Sequence, residues 1–181
     1  MELRPFELER YFARYEFSVQ HLLCSSDCES WSLEELLALE PEAESRLREL
    51  RLGYIESRGG PALRRGIAGI YSGVSPEQTL CFSGAEEAIF LFMHAALSQG
   101  DEIIVHQPCY QALAEVPRAL GVKVVPWTAR AKDAWALDPA ELEKLATPKT
   151  RALVVNFPHN PTGYLMPQAE FRKLASWADS R

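Results

Sequence analysis

Basic charge is in deficit in this sequence. Its 25 Asp and Glu outnumber 19 Lys and Arg, for a net charge of −6. A nucleic-acid-binding surface calls for the opposite balance. Arg64 and Arg65 in "ALRRGIAG" cluster, but they read as a solvated helix face. Long apolar runs are also missing. The longest, "AIFLFMHAAL", falls short of the roughly 20 residues needed to span a bilayer and carries His94, so it reads as a buried helix. The opening "MELRPFELERYF" lacks the apolar centre of a secretory leader. These absences predict a cytoplasmic protein with no nucleic-acid or membrane partner. Cysteine is sparse too. Cys24 and Cys28 form "CSSDC", whereas Cys81 and Cys109 stand alone, with no Cys or His pair at zinc spacing. Free thiols and no metal site are expected. Internal repeats and low-complexity tracts are absent.

What is present from about residue 79 onward is a regular alternation of strand and helix patterns. "TLCF", "DEIIVHQ", "VKVVPW" and "TRALVVNF" read as strands. Between and after them, "GAEEAIFLFMHAALSQG", "YQALAEVPRALG", "DPAELEKLA" and "MPQAEFRKLASWAD" read as helices. Gly100 closes the first, Pro117 should kink or break the second, and Asp138 with Pro139 starts the third. The strands are apolar throughout rather than alternating, which predicts a mostly parallel sheet covered on both faces, a three-layer α/β/α sandwich. Earlier in the chain the style differs. "YEFSVQHLL" alternates with period two and predicts a half-buried strand. "SLEELLAL" predicts a short helix with a Ser32–Glu35 capping box, and "PEAESRLRELRLGY" a helix with Pro41 near its first turn. "GGPALRRGIAGIYSG" reads as a loop and then a helix ending near Gly73. Residues 1–50 are therefore set apart from residues 51–181.

Ligands of an open parallel sheet sit beyond the C-terminal strand ends, and three such ends carry unusual chemistry. In "FSGAEEAIF" Gly84 lets the backbone turn and approach a ligand, and the unpaired N–H groups of the following helix favour an anion. A plain turn capped by Ser83 is the alternative, and no Gly-Lys-Ser/Thr of a P-loop follows. In "VHQPCYQAL" Pro108 stiffens the exit and Tyr110 offers a flat ring, for stacking on a heterocycle or for packing under a loop. His106 and Cys109 read as packing residues. In "LVVNFPHNPTG" Pro161 holds Asn160 extended and permits a cis bond, while Asn156 is placed to brace the loop through its backbone. His159 reads as exposed.

These three pieces, in this order, resemble the class I/II aminotransferases of the aspartate-aminotransferase-like superfamily, the fold-type I enzymes that use pyridoxal 5'-phosphate (PLP). "RGGPALRRGIAGIY", "FSGAEEAIFLFMHAALSQGDEIIVHQPCY" and, most specifically, "NFPHNPTG" carry the resemblance, which covers about residues 50–181. It implies that the amides of Ala85 and Glu86, after Gly84, hold the cofactor phosphate. It implies that Tyr110 stacks on the pyridine ring and that Asn160 bonds the ring hydroxyl oxygen. Tyr54 resembles a tyrosine that reaches across a homodimer to the partner's phosphate. Residues 1–50 then form part of the small domain or an arm, and residues 51–181 an incomplete PLP-binding large domain.

The implied activity is transfer of an amino group between an amino acid and a 2-oxo acid. Other fold-type I chemistry (lyase, decarboxylase, cyclase or oxidase) or a truncated non-catalytic product are the alternatives. In the family the Schiff-base lysine lies after "NPTG". Lys149, Lys173 and Asp179 match none of the late catalytic positions, so no catalytic residue is assigned and the 181-residue chain alone is expected to be inactive. The N-terminal fifth departs from the family, with "LLCSSDCESWSLEEL" where a glycine-rich segment is expected. Asp27 and Glu29 there read as solvated loop acids, or else as contacts for a cationic substrate.

Overall fold

The computed structural model describes residues 3–24 and 28–181, so Asp27 lies outside the described residues. The chain divides into two compact units, one of Glu7–Phe82 and one of residues 3–6 with Ser83–Arg181.

In the Glu7–Phe82 unit the helices are short: α1 (Glu7–Tyr15), α2 (Leu33–Leu37), α3 (Ala43–Glu49) and α4 (Pro61–Ala68). The Ser32–Glu35 capping box is present in full. Ser32 Oγ accepts from the Glu35 N–H at 3.1 Å, and Glu35 accepts from the Ser32 N–H at 2.7 Å. Those bonds hold the Glu35 carboxyl below its ordinary range. Pro61 occupies the first turn of α4, where its missing N–H costs no hydrogen bond. Helix α3 starts later than expected, because Glu42 ahead of it is left-handed (φ 64°) and breaks the run from Pro41.

Two strand expectations fail in this unit. Instead of a strand from Tyr15, α1 ends there and the chain turns, with Glu16 and Val19 donating to Phe12 and Tyr15 carbonyls at 2.8 and 3.3 Å. Alternation without a partner strand leaves Phe17 almost wholly exposed. "TLCF" also forms no strand. Its Cys81 N–H makes one bond, to the Arg58 carbonyl at 3.0 Å, and no ladder continues from it.

The second unit is the expected sandwich. After α5 (Ala85–Ala96) come β1 (Glu102–Gln107), α6 (Ala112–Ala119), β2 (Lys123–Thr128), α7 (Leu142–Leu145), β3 (Thr150–Val154) and α8 (Gln168–Asp179). The strands are parallel in the order β2-β1-β3. Central β1 is buried on both faces, and its alternate side chains enter two cores. Ile103 and Val105 pack with Met93, Leu97, Ala112 and Val116 on the α5–α6 face. Ile104 packs with Trp127, Leu142, Met166 and Leu174 on the α7–α8 face. This is why β1 reads as a continuous apolar run.

Pro126 sits in flanking strand β2, where a missing N–H is tolerated. Helix α6 runs two residues past Pro117 and stops at Ala119. Asp138 caps the turn ahead of α7, accepting from the Ala140 N–H at 2.9 Å. No helix among the described residues is long and apolar enough to cross a membrane.

Candidate active site

From β1 the chain passes to α6 on one face of the sheet, and from β3 it passes to α8 on the other. Connections that diverge this way leave a crevice beyond the C-terminal ends of β1 and β3. Five of the six sequence-derived site residues lie in this unit: Gly84, Ala85 and Glu86 at the start of α5, Tyr110 after β1, and Asn160 after β3. Tyr54 belongs to the other unit and is fully exposed.

At the α5 end, Gly84 is the N-cap and offers no capping side chain. Its backbone is extended (φ −170°), a conformation open to any residue, so the tight turn expected there is not what requires glycine. A Cβ on Gly84 would meet no protein atom within 4 Å, so the space at the N-cap is open. Two acids stand in this first turn. The Glu87 carboxylate is engaged by the Ser83 N–H at 2.7 Å, and that of Glu86 by the Tyr110 hydroxyl, which donates to it at 2.7 Å. The bond between Tyr110 and Glu86 joins the first and second sequence motifs.

The third motif is a closed turn. The Asn156 side chain accepts from the Asn160 N–H at 2.9 Å, the expected brace. His159 N–H donates to the Tyr164 carbonyl at 2.8 Å, and Gly163 N–H to the His159 carbonyl at 2.7 Å. Gly163 adopts φ +73°, a region that favours glycine. The Gln107–Pro108, Phe157–Pro158 and Asn160–Pro161 bonds are all cis. The Asn160 side chain is left exposed at the tip.

His159 is the residue that sequence reasoning misplaced. It is buried, at 2% exposure, rather than exposed. Its Nε2–H donates to the Pro108 carbonyl at 2.7 Å, which leaves Nδ1 to accept from the Thr162 hydroxyl at 2.7 Å. The imidazole thus ties the β3 turn to the β1 exit across 51 residues of sequence. Burial lowers its pKa, against the opposing effect of the Pro108 hydrogen bond, and favours the neutral ring. Beneath it His106 stacks at 3.7 Å and 19°. Both His106 ring nitrogens lack a partner, and burial first, then His159, lowers its pKa to about 4. His106 therefore packs as a neutral ring, beside Phe157 and Trp127. The signal for His159 was its place between Pro158 and Pro161. Prolines donate no N–H, so such a turn depends on side chains to complete its hydrogen bonding.

Cys109 packs against the α5–α6 core, and burial raises its thiol pKa. Lys173 pairs with Glu170 on α8 at 2.8 Å. Asp179 is the last residue of α8, whose neighbouring Ala178 and Arg181 line a hollow with the start of β3, at the opposite end of that strand from the crevice, and Lys149 precedes the same strand start.

The groups gathered here are of the kind that a flat phosphorylated pyridine would need. They are uncapped helical amides at an open N-cap, an aromatic ring anchored beside them, and an amide side chain held on a rigid turn. Comparison with known proteins identifies the family. The profile of the family described as aminotransferase class I and II matches residues 20–181. The arginine–pyruvate transaminase of Pseudomonas aeruginosa is 36% identical over 127 residues, 67% of this chain and 32% of that one. A crystal structure of a PLP-dependent aminotransferase from Streptococcus suis aligns over 99% of this chain and 49% of its own, with a TM-score of 0.92 and 32% identity. A PLP-dependent cyclase, OrfR, aligns over 99% of this chain and 47% of its own, with a TM-score of 0.88 and 33% identity. The chain thus spans about a third to a half of the length of these relatives. Pyridoxal phosphate is the cofactor that the matched family and these solved structures imply. By profile, sequence and fold alike, the chain belongs to the class I and II aminotransferase family.

Proposed function

We propose that the protein transfers an amino group between an amino acid and a 2-oxo acid, using pyridoxal phosphate bound at the β1–β3 crevice. What supports this is that hydrogen bonds link the three sequence motifs to one another, Tyr110 to Glu86 and His159 to the Pro108 carbonyl. When bound, the cofactor supplies an electron sink for bonds at the substrate's α-carbon. The chain's own residues bind and orient. The amides of Ala85 and Glu86, after Gly84, hold the phosphate with help from the α5 dipole, a contribution of roughly 0.3–2 kcal/mol. Tyr110 lies against the ring face, and Asn160 directs its amide to the ring hydroxyl oxygen. His159 acts through Asn160 and Pro108 by holding the two loops in one arrangement, since a misplaced group loses rate steeply.

In the same reading residues 51–181 supply the cofactor-binding domain, residues 1–50 belong to a small domain or arm, and the whole protein works in the cytoplasm as a homodimer. The fully exposed Tyr54 ring suits a contact with a partner subunit's phosphate. Titration with PLP tests the site. The 181-residue chain binds it, and Tyr110→Ala and Asn160→Ala weaken binding. No binding by the wild type refutes the reading. Transamination by the chain alone is not expected, because neither Lys149 nor Asp179 stands at the crevice and Lys173 is paired on α8.

A second reading is cyclisation, supported by the OrfR match over 99% of this chain. The residues present here bind cofactor without choosing the reaction. A screen of amino acids on a longer protein that contains this chain separates the two. Product formed without a 2-oxo acid acceptor favours cyclisation, and keto product dependent on an acceptor favours transamination.

A further inference from the structure

We propose that Phe6 is a positioning residue that sets the plane of the Tyr110 ring, acting with the Glu86 carboxylate as a two-point clamp. The inference rests on the reading of Tyr110 as the ring that faces the cofactor. Residues 3–6 belong to the same compact unit as Tyr110, although more than a hundred residues of sequence separate them. The Phe6 and Tyr110 rings form a T-shaped contact, with centroids 6.4 Å apart and planes at 89°. This T-shaped geometry directs a positive ring edge at a negative ring face and is favoured over parallel contact at full overlap. At the other end of the Tyr110 ring its hydroxyl donates to Glu86 at 2.7 Å.

A phenol held only by its hydroxyl can still rotate about its long axis, and that rotation decides whether the ring lies flat against a ligand. The T-shaped contact with Phe6 opposes the rotation. The residues just before Phe6 are in turn held to the start of α6 and to the helix itself. The Gln111 side-chain N–H donates to the Pro5 carbonyl at 3.0 Å, and Arg4 approaches the buried Glu115 carboxylate at 3.9 Å. Phe6 also packs against the α5–α6 core, so its position is set by the same cluster that seats Tyr110. The N-terminal segment thus contributes to the site without touching the cofactor.

The test compares two ligands of one site on the 181-residue chain. PLP needs both the phosphate cup and a flat Tyr110, whereas inorganic phosphate needs only the cup. Phe6→Ala and Phe6→Leu are titrated with each, with thermal unfolding recorded alongside. The expected result is a loss of PLP affinity of about fivefold in both variants, phosphate affinity unchanged, and recovery of PLP affinity in Phe6→Trp. Phe6→Leu keeps most of the packing, so a loss shared with Phe6→Ala assigns the effect to the aromatic edge. Equal PLP affinity in wild type and both variants overturns the inference alone. Parallel losses for PLP and phosphate overturn it in favour of a merely structural role. Absence of PLP binding by the wild-type chain overturns the cofactor reading and this inference with it.

Discussion

The two compact units spend their apolar residues in opposite ways. In the sheet unit Ile103, Ile104, Val105, Trp127 and Leu142 are fully buried between helical layers. In the Glu7–Phe82 unit Leu39, Leu52, Ile55, Ile70 and Tyr71 stand exposed, and the buried positions among the described residues are Gly59, Ala68 and Thr79. That unit is held by local polar geometry instead. Arg64 donates to the Gly59 and Pro76 carbonyls at 3.0 and 2.7 Å, Arg58 to the Glu77 carbonyl, and Gln78 accepts from the Ser75 N–H at 2.9 Å. Gly59 is at φ +100°, where a Cβ would lie 2.6 Å from the Cys81 sulfur. The difference teaches that apolar composition alone does not make a core. Burial needs facing elements, and β1 has them on both sides.

Ile104→Ala should do the greatest damage, because it opens a cavity between β1 and the α7–α8 layer, at a cost of about 2–5 kcal/mol. Urea unfolding followed by tryptophan fluorescence measures it, and a loss below 1 kcal/mol would break the contrast between the units. Acid comes next. His106 is neutral in the folded state with its pKa lowered from 6.5 to about 4, so the unfolded chain takes up the proton first. Stability is therefore full above pH 6.5 and falls as pH drops toward 4, by up to about 3 kcal/mol. His159 shifts in the same direction, and the other groups packed on the His106 ring are Phe157 and Trp127. His106→Phe should flatten the unfolding midpoint across this range; an unchanged slope counts against the buried neutral ring.

His159→Phe keeps a ring against His106 but removes both hydrogen bonds, leaving the Pro108 carbonyl without that donor. A loss of about 1–3 kcal/mol is expected, with weaker PLP binding, read by unfolding and by titration. Ser32→Ala removes one cap bond in the other unit and should cost about 1 kcal/mol locally. Hydrogen exchange would then quicken at the Glu35 amide and stay unchanged in β1. Leu52→Ala closes the series. At 96% exposure Leu52 should tolerate the change within about 0.5 kcal/mol, and a larger loss would show that the exposed unit holds a core after all.

Legibility followed the same divide. β1, β2, β3, α5, α6 and α8 were readable because facing layers impose a pattern on each of them. The strands expected from Tyr15 and at "TLCF" were not, because alternation and short apolar runs carry no information about a partner strand. In the candidate site, Tyr110 and Asn160 follow β1 and β3 as their residue types at strand exits predicted, whereas the segment before Gly84 forms no strand. His159 was not legible, because burial of a turn histidine depends on the carbonyl it meets, 51 residues away.

By itself the amino-acid order determined what neighbours in sequence can settle: the Ser32 and Asp138 caps, the apolar strands of a doubly covered sheet, and the proline-stiffened turn around Asn160. Such features arise from backbone geometry over a few residues. Only the tertiary structure decided that Tyr110 meets Glu86, that Phe6 meets Tyr110, and that His159 bridges the exits of β1 and β3. Those meetings depend on strand order and on the face to which each connection crosses, and hydrophobic periodicity is the same whichever strand lies alongside.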